Sequence, residues 1–167
     1  MRLTEKNRRY ILVGMVAFII VGIFTAKMLG SKQDEQFAYE DMLYAQANQM
    51  YQDGNYIDAT VMIIELLELQ PKSESANYLG AMIAANTGEY KQSAILLQKT
   101  MDLNPYNVEK PMFILQLGEI LLLAERYEDA KIVLERCRDW GGIPAEYPDY
   151  QEHVAQLLLE VEQKLQL

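Results

Sequence analysis

Two pairs of landmarks recur along this chain at a single interval. Gly54-Asn55-Tyr56 returns as Gly88-Glu89-Tyr90, and Leu69-Gln70-Pro71 returns as Leu103-Asn104-Pro105, each displaced by 34 residues. A fixed period of this length marks a supersecondary unit that cannot bury its apolar face alone and must stack on copies of itself. A third copy, Arg126-Tyr127-Glu128-Asp129-Ala130, aligns with Asn55-Tyr56-Ile57-Asp58-Ala59 at an interval of 37, three residues being inserted around Asn107 to Lys110.

Each unit has the periodicity of a helical hairpin. Leu43, Ala47 and Met50 share one stripe over Glu40 to Asp53, and Gly54-Asn55 ends that helix. Ala59, Ile63 and Leu66 share a second stripe over Tyr56 to Leu69, which Pro71 stops. No period-two strand pattern occurs. The arrangement resembles the tetratricopeptide repeat family. Its pattern is matched by Leu43, Ala47, Met50, Gly54, Tyr56, Ala59, Ile63 and Pro71 in the first copy, and by Ala81, Ala84, Gly88, Tyr90, Leu97 and Pro105 in the second. The third offers Ile114, Leu117, Gly118, Leu121, Tyr127, Ala130 and Leu134. The departures are the missing leading Trp, Ser93 in place of a small Ala, and Gly141-Gly142-Ile143-Pro144 where a lone Pro would end the third copy.

The resemblance implies an all-α, short solenoid with three repeats at 40–73, 74–107 and 111–144. A last amphipathic helix within 145–167, with Val154, Leu157, Leu158, Val161 and Leu165 on one side, suits a cap.

Ahead of the repeats lies Ile11 to Ala26, sixteen residues without a charge. Counted from Tyr10 to Gly30, the stretch is about 31 Å long at the helical rise of ~1.5 Å, which matches a ~30 Å hydrocarbon layer. We therefore expect one N-terminal transmembrane helix at 11–30, between a basic tip at 1–10 and a linker at 31–39. Arg2, Lys6, Arg8 and Arg9 outnumber Lys27 and Lys32 across the span, which orients the N-terminus into the cytoplasm. The expected location is the cytoplasmic (inner) membrane, single-pass, with the repeats extracytoplasmic, in a periplasm. Gly22, Ala26 and Gly30, four apart, would give a weak homodimer contact.

The charge is divided. Residues 33 to 167 hold nine basic and twenty-three acidic side chains, a net charge of -14 within a chain of -9. Such a domain repels nucleic acid and favours neutral or basic protein segments. The sole Cys, Cys137, reads as a buried inert thiol, and His153 has no second ligand at i+3 or i+4. No phosphate loop, dinucleotide fingerprint, nucleophile elbow or zinc motif occurs. The expectation is a protein that is not an enzyme, with no cofactor and no metal.

In repeats of this family the first helix of each hairpin lines a concave groove. The stripe one step from the core comprises Asp41, Tyr44, Asn48 and Tyr51, then Ser75, Tyr78, Met82 and Ala85, then Met112, Leu115, Glu119 and Leu122. From these we expect Asp41, Tyr44, Asn48, Tyr51, Tyr78, Met82 and Glu119 to grip a protein segment. The absence of Lys and Arg there argues against a grip on a C-terminal carboxylate. Similarity to bacterial membrane-anchored repeat proteins implies a chaperone-like scaffold in assembly of an envelope complex for secretion, pili, translocation or cytochrome maturation. The alternative is a permanent structural subunit of a large membrane complex.

Overall fold

The computed structural model describes residues 5–166, apart from the side chains of residues 5, 8, 26, 28, 29, 31 and 32. Arg2 of the basic tip, Leu167 of the expected cap, and the side chains of Arg8 and Ala26 therefore lie outside the described residues. The chain divides into two compact units, Met1–Met42 and Leu43–Leu167.

In the first unit α1 (Glu5–Gln52) begins and runs without interruption, so 31–39 is helical. Its side chains from Tyr10 to Phe24 are exposed, as is Gly22, while Gly30 is half-buried. Among the described residues no helix is long and apolar enough to cross a membrane. This corrects the expected transmembrane helix at 11–30. The charge-free run is only sixteen residues, about 24 Å of helix against a ~30 Å layer. Reaching twenty-one residues counts Tyr10 and Lys27 as part of the span. The membrane anchoring, the cytoplasmic basic tip, the N-terminus-in orientation and the extracytoplasmic, periplasmic placement all rest on that span and fall with it.

The second unit takes in the last turns of α1, from Leu43, followed by α2 (Tyr56–Leu69), α3 (Glu74–Asn86) and α4 (Tyr90–Leu103). A short 3-10 helix, Pro105–Glu109, then leads to α5 (Pro111–Leu123), α6 (Tyr127–Trp140) and α7 (Tyr150–Leu165). Consecutive helices pack on one another in chain order, α2 on α3, α3 on α4, α4 on α5, α5 on α6 and α6 on α7. The result is a one-dimensional stack.

One backbone device repeats inside every hairpin. The amide of Asn55 donates to the carbonyl of Met50, Glu89 to Ala84, and Arg126 to Leu121, each five residues back. The residue before each donor has positive φ: Gly54 at 76°, Gly88 at 84° and Glu125 at 62°. This is the left-handed C-terminal cap that glycine enters without steric cost, so two turns use Gly and the third forces Glu into it. Between hairpins, Ser73 caps α3 by accepting from the Ala76 amide. The insertion before the third hairpin forms the 3-10 helix, and Pro111 opens α5 where its missing N–H costs nothing.

Two buried clusters fill the stack. One joins Leu43, Ala47, Ala59, Ile63 and Leu66 to α3 through Ala76, Leu79 and Ile83. The other runs from Ala81 and Leu97 through Leu117, Leu121 and Leu134 to Val154 and Val161 of α7. Ser93 is fully buried, and its hydroxyl donates to the Ala81 carbonyl at 2.8 Å, so the departure from Ala leaves no polar group unsatisfied.

Glu125→Gly should therefore raise unfolding stability by roughly 1 kcal/mol, relief of left-handed strain exceeding the added chain entropy. Urea denaturation checks this, and an unchanged or lower midpoint would contradict it.

Candidate functional site

A large concavity of the second unit opens where α3 and α5 begin. It has a volume of about 910 Å³ and is walled by Tyr44, Ser75, Tyr78, Met112, Phe113 and Gln116, with Glu74, Glu109, Lys110 and Glu146 around it. Its floor is held by cross-hairpin contacts. The Tyr78 hydroxyl donates to Gln116 Oε1 at 2.8 Å, and the Tyr78 and Phe113 rings stack with centroids 6.0 Å apart at 30°. Aromatic pairs in this offset geometry give rigid contact area for little side-chain entropy.

One wall is a polar lattice built by the inserted turn. Asn107 and Asn104 each donate to a Glu74 carboxylate oxygen at 2.9 Å. These bonds, Asn107 first, hold the Glu74 carboxyl below its ordinary range. Asn107 also donates to the Thr100 carbonyl, and Lys110 Nζ donates to Asn107 Oδ1 at 2.8 Å. Glu109 and Glu146 are exposed beside this wall. The cavity thus sets three carboxylates against one ammonium.

The residues singled out by periodicity scatter around this site. Tyr44 and Tyr78 line it. Asn48 is half-buried, and Tyr51 packs on Tyr56 with ring centroids 5.7 Å apart. Burial pushes the Tyr51 hydroxyl pKa up. Met82 is half-buried against the core. Asp41 is exposed and belongs to the first unit. Leu115 and Leu122, further along the same stripe, are buried in the core, while Met112 lines the cavity.

Glu119 faces α7 instead of the cavity. Its Oε1 lies 3.0 Å from His153 Nε2, and His153 Nδ1 is hydrogen-bonded to the Tyr147 hydroxyl. His153, isolated in sequence, is thus tied to two partners in space. Burial pushes the Glu119 carboxyl above its usual range, partly opposed by His153. Glu74, Glu109, Lys110, Phe113, Gln116 and Glu146 are cavity residues that periodicity did not single out. Phe113 and Gln116 sit off the groove stripe, and the asparagine-rich insertion was the one available signal for Glu74.

No family model matches the chain, and no curated protein matches it. Solved structures do. The Yersinia enterocolitica type III secretion translocator chaperone SycD superposes with a TM-score of 0.60 at 19% identity, over 76% of this chain and 86% of that one. PcrH, solved in complex with the chaperone-binding region of PopD, gives 0.58 at 18%, over 75% and 92%. The first TPR of Spaghetti (RPAP3), bound to the HSP90 peptide SRMEEVD, gives 0.58 at 15%, over 77% and 94%. At these identities the likeness is one of fold, the all-helical tetratricopeptide-type solenoid.

The Glu119 site makes a pH prediction. A carboxyl with a raised folded-state pKa adds stability below its unfolded pKa and loses it as pH rises through the folded value. Glu119→Gln keeps an acceptor for His153 and removes that charge. The variant should therefore gain stability relative to the parent as pH rises above about 4, the ordinary carboxyl range, read from paired denaturation curves. Parallel pH profiles would contradict the burial argument.

Proposed function

We propose that this protein is an adaptor that holds a segment of a partner protein in the α3–α5 concavity during assembly of a protein complex, in the manner of a chaperone. The carrying observation is the preformed floor of Tyr78, Phe113 and Gln116 inside a volume of about 910 Å³. Aromatic area with a few fixed polar groups suits an extended backbone and its side chains. Support comes from PcrH and the Spaghetti domain, each solved with a partner's peptide. Three carboxylates against Lys110 favour a neutral or basic segment. The reading is of a binding module rather than an enzyme, with Tyr44 and Tyr78 as the gripping residues and Asn48, Tyr51 and Met82 extending the contact along the same face.

A second reading has one observation behind it. Val61, Ile95 and Ile132 occupy the same position in the second helix of each hairpin and are exposed, at 59%, 55% and 67%. A permanent structural subunit would use this outer line rather than the groove.

A photo-crosslinking residue in place of Gln116 or of Ile95 separates the two. The adaptor reading expects a discrete protein adduct from Gln116, reduced at least ~10-fold when Tyr44 and Tyr78 are both changed to Ala, since paired aromatic anchors contribute about 2 kcal/mol or more. Adducts only from Ile95, indifferent to those changes, would replace it with the structural reading.

A further inference from the structure

A second, smaller cavity of about 200 Å³ lies at the end of the third hairpin, walled by Val108, Pro111, Ile114, Cys137, Trp140 and Tyr150. Its origin is legible in the repeat. Cys137 stands where Leu66 stands in the first hairpin, and the smaller side chain leaves room that a leucine would fill. The cavity's buried polar atoms, those of Tyr150 and Cys137, are paired, and the exposed Glu109 and Arg136 complete its lining. The Tyr150 hydroxyl donates to the Pro111 carbonyl at 3.2 Å and is hydrogen-bonded with the Cys137 thiol. A water needs two to four polar partners to reside in such a space, and apolar cavities of ~150 Å³ stay dry and accept a benzene-sized group. The chemistry therefore calls for an apolar occupant about the size of one leucine, methionine or phenylalanine side chain. Trp140 stands beside it, 51% exposed, with its ring edge-on to Tyr150 at 5.9 Å.

The cavity adjoins the groove. Glu109 and Pro111 wall both, so a chain lying in the groove and passing Pro111 brings its next side chains to the mouth. We infer that this second cavity is an anchor pocket for one apolar side chain of the bound partner segment, close in sequence to a Lys or Arg that faces Glu109 and Glu146. This inference rests on the groove reading above. It specifies the segment as basic and apolar-anchored, with the anchor set outside the concave face.

The chain has one Trp, which makes Trp140 a private reporter of the pocket. The probe is a dodecapeptide without Trp, selected from a displayed random library on the full chain and then synthesised. The expected peptide carries an apolar residue near a Lys or Arg, and its binding moves Trp140 emission to shorter wavelength. Replacing that apolar residue by Gly should weaken binding at least ~10-fold and remove the emission shift. Val108→Phe, filling the pocket from its half-buried wall, should weaken the parent peptide similarly and leave the Gly peptide unchanged. A selected peptide lost on Tyr78→Ala that leaves Trp140 emission unmoved overturns the pocket while the groove stands. A folded chain that selects no peptide, or only peptides indifferent to both Tyr78→Ala and Val108→Phe, overturns both.

Discussion

Every hairpin of the solenoid closes on side chains too small to hold its two helices apart. Ala47, Ala81 and Gly118 occupy one position of the first helices, and Ala59, Ser93 and Ala130 one position of the second, and all six are buried. At Gly118 the fit leaves no room even for a methyl group, because a Cβ would stand 2.6 Å from Leu134 Cδ2. Close approach of this kind lets Ile63, Leu97 and Leu134 reach across and fill the interior. The groove depends on it, because Tyr44 and Tyr78 lie on the faces of α1 and α3 that this closure turns outward.

The same positional logic explains where the third hairpin differs. Leu66, Thr100 and Cys137 are equivalent and buried, but they are not equal in size. Thr100 satisfies its hydroxyl on the Leu96 carbonyl, and Cys137 shares a hydrogen bond with Tyr150. Burial raises the pKa of both members of that pair, so each stays neutral at physiological pH and the contact behaves as part of the core. A loss of volume that would be a packing defect in a closed core becomes, where the third hairpin meets α7, a space bordered by Trp140.

Much of this architecture is legible along the chain because its causes are local. Gly54 and Gly88 announce their turns by being the residues a positive φ favours, and Pro111 announces a helix start. Glu125 does not, since a left-handed Glu leaves no trace in composition and is legible only by alignment with the glycines. Tyr44 and Tyr78 follow from a helical period, whereas Gln116 and Phe113 reach the site through contacts 38 and 35 residues distant from Tyr78, which no period encodes. The apolar run from Ile11 to Ala26 is the opposite case, a strong local signal whose length decides its meaning. Sixteen residues fall short of a hydrocarbon layer, and the count reached that layer only by admitting flanking polar residues.

Glu119 shows how tertiary structure redirects a residue that its own helix offers to the groove. A carboxylate half withdrawn from water needs a partner, and His153 supplies one from a helix that begins 31 residues further along. With neutral imidazole, Nε2–H donates to the carboxylate and Nδ1 accepts from the Tyr147 hydroxyl, so all three groups are satisfied in one tautomer. The position that would extend the groove along the third hairpin is thereby committed to the capping helix. The open surface that remains is bounded by Tyr44 at one side and by Glu109, Pro111 and Glu146 at the other. A bound segment that continues past Tyr78 is therefore directed toward the inserted turn and its carboxylates.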